Sequence, residues 1–298
     1  MKKLLFTLIF TTAYLQSDYL SHPKADLLID ELVNEHGFEE NFVKEVLSVA
    51  KKKQKIIDSI SKPAEFTWTW DRYKKLFIEE KRIKNGKIFI SENIEVLEKA
   101  EKDFGVPKEV ITAIIGVETR YGKIQGSYRV IDSLLTLGFD YPRRSKFFRK
   151  ELVNFFLLTR ENELDILDIK GSYAGAMGYG QFISSSYRAY AIDYDGDGNA
   201  DLFNSAEDAI GSVANYLYIH GWKREGAIVY ESFPNNVRKV FKPSDGLSKF
   251  IPLSFNENGK DINFIGDDNF VAITKYNISH FYAMAVYYLS QELKTWKN

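Results

Sequence analysis

The chain contains no cysteine. That absence excludes a disulfide scaffold, a thiol nucleophile, a thiolate zinc site and an acylated lipoprotein N-terminus. An excess of either charge is also missing: 40 Lys and Arg stand against 41 Asp and Glu, for a formal net charge of −1. With no like-charge block long enough to act as a nucleic-acid arm, nucleic acid is not an expected partner. No apolar run reaches the ~20 residues that a membrane-spanning helix needs, and neither an internal repeat nor a low-complexity linker is present. What remains is 298 residues with 45% hydrophobic content, enough for one large or two modest domains. Aromatic residues make up 15%, with 18 Tyr and 4 Trp, and such side chains serve as flat faces for sugar rings as readily as they fill a core.

Lys2 and Lys3 precede the apolar run Leu4 to Leu15, and polar Gln16, Ser17 and Asp18 follow. This pattern reads as a secretory signal peptide over residues 1–17, with an uncleaved anchor as the alternative. The expected location is the periplasm, without a lipid anchor. Residues 18–65 read as a helical lobe, from the apolar spacing of Leu27, Leu28, Leu32 and Val33 and then Phe42, Val43, Val46 and Leu47. Pro63 and the aromatics Phe66, Trp68, Trp70 and Tyr73 mark entry to a second region, helical as far as Gly105.

Val106-Pro107 opens the next helix, whose apolar positions are Val110, Ile111, Ile114 and Ile115. Glu118 falls on the same stripe, so a carboxyl group is carried on the face expected to pack inward. Burial disfavours a carboxylate and drives its pKa upward, as a general acid near neutral pH requires. A buried ion pair with Arg143 or Arg144 fits the position equally well.

The segment Gly171 to Tyr187 carries four glycines in its first ten residues, which suits close backbone approach to a ligand. Within it Ser172 and Gln181 offer donors and acceptors, while Tyr173, Tyr179 and Tyr187 can line a groove. A phosphate loop would end in Gly-Lys-Ser/Thr, which is absent.

Four stretches taken together, Gly116-Val-Glu-Thr-Arg-Tyr-Gly122, Tyr141-Pro-Arg-Arg144, Gly171 to Tyr187, and Ala209 to Tyr216 with His220-Gly-Trp222, resemble the lytic murein transglycosylase B family. The resemblance runs from about Phe66 to the C-terminus, with the helices before it similar only in outline. It implies cleavage of the β-1,4 bond between N-acetylmuramic acid and N-acetylglucosamine in peptidoglycan, leaving a 1,6-anhydromuramoyl end. Glu118 would act first as acid and then as base. The resemblance maps substrate contacts onto Tyr73, Ser172, Gln181, Tyr216, Tyr276, Asn277 and Tyr282, and Arg143 and Arg144 suit the anionic lactyl-peptide part of muramic acid. A two-carboxylate glycosidase needs a partner ~5 Å or ~6.5–9.5 Å away; Asp132, Asp140 and Glu151 are the acids that folding would have to bring near. A muramidase-type hydrolase and a non-catalytic peptidoglycan-binding protein therefore stay open as alternatives. The expected partners are peptidoglycan glycan strands, with proteins of cell-wall synthesis or division as further candidates, and the expected state is a monomer.

A second signal is Asp193-Tyr-Asp-Gly-Asp-Gly-Asn199, in which Asp193, Asp195 and Asp197 alternate as at the start of a calcium loop. The usual closing Glu is replaced by Asn204, so Glu207 or Asp208 must close the loop. The resemblance favours Asp208, with Asn199 giving its backbone carbonyl, although one extra residue lies between Asp201 and Asp208. The expected cofactor is a structural Ca²⁺, with no organic cofactor.

Residues 225–274 change to short β-type runs, Ala227 to Tyr230 and Phe270 to Thr274, punctuated by Pro234, Pro243, Asn258-Gly259 and Gly266-Asp267. The expected architecture is mainly α (α+β). A lysozyme-like catalytic core over 66–224 and 275–298 carries the calcium loop, the N-terminal helical lobe and a small β lobe.

Overall fold

The computed structural model describes residues 18–61, 68–231 and 251–294. The expected signal segment, and with it Pro63, Phe66, Pro234 and Pro243, lies outside these residues. In chain order the elements are α1 (Ala25–Asp30, continued by a π-helical turn over Glu31–Glu35), α2 (Glu40–Val49), α3 (Gln54–Ser61), α4 (Trp70–Phe77), α5 (Glu80–Glu92), α6 (Ile94–Phe104), α7 (Lys108–Thr119), β1 (Tyr128–Arg129), α8 (Val130–Asp140), α9 (Ser145–Glu161), β2 (Lys170–Gly171), α10 (Ser184–Tyr190), α11 (Ala206–Ile219), β3 (Val229–Glu231), β4 (Ile251–Glu257), β5 (Lys260–Gly266), α12 (Asp268–Tyr276) and α13 (His280–Lys294). No described helix is long and apolar enough to cross a membrane.

Helix α7 lies at the centre. All residues from Val110 to Val117 are buried, and α5, α6, α11 and α13 pack around it. A helix apolar on every side belongs in such a position. Pro107 stands one residue before the helix rather than in its first turn, capping it in an extended conformation while its carbonyl accepts from Val110 N and Ile111 N. At the other end Arg120 and Tyr121 are both left-handed, with φ of 53° and 63°. This reversal lays the Tyr121 ring against Gly86 and Gly116, where neither has room for a Cβ. The buried Arg82 guanidinium donates to the Gly116 carbonyl and holds the last helical turn from the α5 side.

The helices α1 to α3, expected as a helical lobe, share their core with the rest of the described residues. One continuous apolar cluster runs from Tyr19 to Leu293. The Tyr19 hydroxyl contacts Thr136 Oγ1 at 3.1 Å and Asp140 at 2.9 Å, while the backbone amides of Lys51 and Lys53 donate to Asp132 and Thr136. Leu27 and Phe42, both expected to be apolar contacts, are instead 62% and 41% exposed.

The β region is an antiparallel sheet in the order β3-β5-β4, with Asn258 and Gly259 turning the β4–β5 hairpin at positive φ. It docks on α4: Trp70 Nε1 donates to Glu257, the Lys74 ammonium pairs with the same carboxylate at 2.6 Å, and Trp70 meets Phe255 at 5.0 Å between ring centroids. The run Phe270 to Thr274 is helical, as part of α12, and not the expected strand. The Asp267 side chain caps that helix at Asp268 N. Buried Asn269 ties it to Lys223 and Gly226, and Phe270 and Ile273, three apart, share its buried face.

Candidate active site

Glu118 emerges near the C-terminal end of α7, where the helix leaves the core, and is half-buried rather than enclosed. Helix α13 packs along α7 and brings the buried Tyr282 to it, whose hydroxyl donates to Glu118 Oε1 at 2.6 Å. Tyr276, from the end of α12, lies nearly parallel to Tyr282 at 6.4 Å. Burial, and after it the charge of Glu118, pushes both phenols far above their ordinary range, so both remain hydroxyl donors. Tyr73, on α4, is buried against Phe77 and Phe281 at the Tyr282 side of this group.

The glycine-rich segment forms the facing wall. The Tyr276 hydroxyl donates to the Gly180 carbonyl, and Tyr216 stacks on His220 at 4.0 Å while its own hydroxyl donates to Lys275 O at 2.7 Å. Burial pushes the Tyr216 phenol up to about 12. Ser172 Oγ accepts from Ala174 N and Ala176 N, and among the described residues its hydrogen finds no acceptor. Gln181 uses its amide nitrogen on the carbonyls of Gln125 and Gly178, and no described residue donates to its oxygen. Both retain hydrogen-bonding capacity for a ligand. The glycines themselves serve a different end from the one expected. Gly171, Gly175, Gly178 and Gly180 are closely approached by Ala176, Leu134, Leu202 and Tyr276, so the tight spacing accommodates the protein's own chain.

Two residues that the sequence did not single out fasten this wall to helix α7. Thr119, fully buried beside Glu118, donates to Tyr179 O at 2.7 Å and accepts from Gly122 N at 2.9 Å. Gln125 donates to Gly122 O and to Phe203 O, joining the loop after Glu118 to the acidic loop. A polar residue at a stripe position was the only available signal for Thr119.

Each acid considered as a second carboxylate is engaged elsewhere. Asp132 takes Arg129 and Lys51 N, Asp140 takes Tyr19 and Lys52, and Glu151 takes the backbone and hydroxyl of Ser185 at the start of α10. Arg143 and Arg144 are exposed on a 3-10 turn, with Arg144 lying over Phe147 at 4.2 Å. Asn277 ends α12 in extended conformation, and its carbonyl accepts from Ser279 N.

In the acidic loop, carboxylate oxygens of Asp193, Asp195 and Asp197 come within 4.8 Å of one another. No Lys or Arg among the described residues pairs with them. Asp208 is not in this group: its oxygens accept from the amides of Tyr194, Asp195 and Asp201, which pins the loop to the start of α11. Burial, and the charge of Asp195, hold the Asp208 carboxyl above the ordinary aspartate range. Hard oxygens converging without a counter-charge fit a cation of the calcium type.

A carboxylic acid at the end of a central helix, faced by a glycine-rich wall and tyrosines, is the arrangement of a lysozyme-like glycan-cleaving enzyme. The chain belongs to the transglycosylase SLT domain family, which it matches over residues 21–291, and it is a lytic transglycosylase. The match includes the helices before Phe66, where the sequence showed resemblance only in outline. The chain is 39% identical to the membrane-bound lytic murein transglycosylase B of Escherichia coli (strain K12), over 92% of this chain and 83% of that one. Its structure superposes on SltB1 of Pseudomonas aeruginosa with a TM-score of 0.86 at 41% identity, covering 93% and 99% of the two chains. It also superposes on Escherichia coli Slt35 in complex with calcium, with a TM-score of 0.84 at 37% identity, covering 93% and 95%.

Proposed function

We propose that Glu118 is the sole acid/base of a peptidoglycan lytic transglycosylase. Its protonated carboxyl donates to the glycosidic oxygen between N-acetylmuramic acid and N-acetylglucosamine. The resulting carboxylate then takes the proton of the muramoyl C6 hydroxyl as that oxygen attacks C1, closing the 1,6-anhydro ring. The observation that carries this reading is one half-buried carboxylate among protonated tyrosines, with Asp132, Asp140 and Glu151 all engaged elsewhere. Ser172, Gln181, Tyr73, Tyr216, Tyr276, Asn277 and Tyr282 bind the glycan, and Arg143 and Arg144 meet the lactyl-peptide portion. The protein acts in the periplasm on glycan strands.

Asp193, Asp195 and Asp197 hold a Ca²⁺ with the backbone carbonyl of Asn199, and Asp208, expected as the closing ligand, supports the site by holding the loop amides of Tyr194, Asp195 and Asp201. The ion neutralises the acidic loop and takes no part in proton transfer. The calcium complex of the Escherichia coli relative supports this reading.

Digestion of purified peptidoglycan, followed by mass spectrometry of the soluble products, tests the reaction. Anhydromuropeptides are expected, each one water lighter than the reducing form, and Glu118→Gln should reduce their release at least about a thousandfold. Reducing ends in place of anhydro ends would overturn the transglycosylase reading, and wild-type rates in Glu118→Gln would overturn the assigned acid.

A further inference from the structure

A cleft of about 750 Å³ opens beside β1, lined in part by Lys51, Lys53, Ser127, Tyr128, Arg129 and Asp132. We propose that it binds the carboxylates of the peptide stem that the muramic acid carries. The proposal rests on the reading that glycan lies along Ser172.

Asp132 organises the cations around it. It is 1% exposed and accepts Lys51 N at 2.8 Å and Arg129 at 2.8 and 3.0 Å, with the Lys53 ammonium 3.7 Å away. Arg129 also donates to Val49 O, which ties the strand to the end of α2. One carboxylate therefore orders two of the three cations and the backbone of the third, and the cleft keeps an excess of positive charge. The Lys51 ammonium is exposed and has no partner among the described residues. Lys170, exposed on β2 opposite Arg129, adds a further cation to the same ribbon. Fixed cations with free valence at the mouth of a cleft attract a carboxylate, and the anchoring of Arg129 lowers the entropy lost on binding.

Position favours a stem over a free anion. Tyr128 pairs with Gly171, the residue before Ser172, and neighbouring strands lie ~4.8 Å apart. At Gly126 the backbone presses on Gly171 and Ser172 with no space for a Cβ, and the next residue, Ser127, lines the cleft. An extended peptide advances ~3.4 Å per residue, so the second or third residue of a stem leaving a sugar at Ser172 reaches these cations. Arg143 and Arg144 lie beyond the far end of α8, an 11-residue helix spanning roughly 16 Å, so the lactyl-peptide portion they meet belongs to a different muramic acid of the strand.

The test compares soluble glycan strands carrying peptide stems with strands stripped of them, binding each to the full chain in the Glu118→Gln background so that nothing is cut. The stem-bearing strands are expected to bind at least about fivefold more tightly at low salt. Lys51→Gln with Lys53→Gln should remove most of that advantage and leave affinity for stripped strands unchanged, which also shows that the variant is folded. Equal affinity for the two preparations, or an advantage that survives the double substitution, would overturn the proposal. A wild-type chain that yields reducing ends would overturn the transglycosylase chemistry instead and leave this binding comparison standing.

Discussion

The hydroxyl of Tyr282 donates a hydrogen bond to Glu118 from across the fold, 164 residues along the chain. A donor favours the ionised form of its acceptor, which in the proposed reaction supports Glu118 once its proton has passed to the glycosidic oxygen. Tyr282→Phe removes that donor without changing the ring, and kcat should fall about ten- to a hundredfold with KM within about twofold. The limb of the pH–rate profile at which protonated acid is lost should move to higher pH, because the ionised form has lost a partner. Rates across pH on a soluble glycan substrate measure both, and an unchanged profile would show that the hydroxyl only packs. Glu118 itself was legible because a charged side chain on an apolar stripe stands out locally. Tyr282 was found only through resemblance, since nothing around it distinguishes a buried donor from another core tyrosine.

At the scale of elements, the site depends on how firmly the end of α7 is fastened to the glycine-rich segment. Thr119→Val deletes a buried hydroxyl and leaves Gly122 N and Tyr179 O without their partner. It should cost about 1–3 kcal/mol, read as a lower Tm, and slow turnover, whereas Thr119→Ser should restore both. A valine variant as stable and as fast as the wild type would contradict this account. The link was invisible in the sequence because its partners lie 60 residues apart. The misread segment Phe270 to Thr274 shows the reverse failure. Its phenylalanine and β-branched residues favour a strand, yet the Asp267 cap and a buried face recurring at three residues make it a helix. Where local chemistry and tertiary packing agreed, as in α7 and the break at Asn258-Gly259, the pattern was readable.

Taken as a whole molecule, the fold joins its acidic loop to the catalytic wall through Gln125 and Phe203, and through Tyr179, whose amide donates to Leu202 O. Calcium should therefore stabilise the whole protein rather than one loop. At a hundredfold excess over its dissociation constant, a ligand bound only by the folded state adds about 2.7 kcal/mol. Thermal unfolding in calcium and in chelator should show a rise in Tm, and Asp195→Asn should abolish most of it. An identical Tm in the two conditions would exclude the loop as a calcium site. The same continuity explains why residues 18–65 looked like a lobe in sequence: their amphipathic spacing is visible, but the surface that covers them, α8 and α9, comes much later in the chain.

The order of the elements has a temporal meaning as well. Glu118 is made early, but the helix that supplies Tyr282 begins only at His280. A chain still being synthesised thus holds Glu118 without the Tyr282 hydroxyl and without the helix that packs along α7. If Glu118 is the acid proposed above, a fragment ending before His280 should release no soluble muropeptide from peptidoglycan.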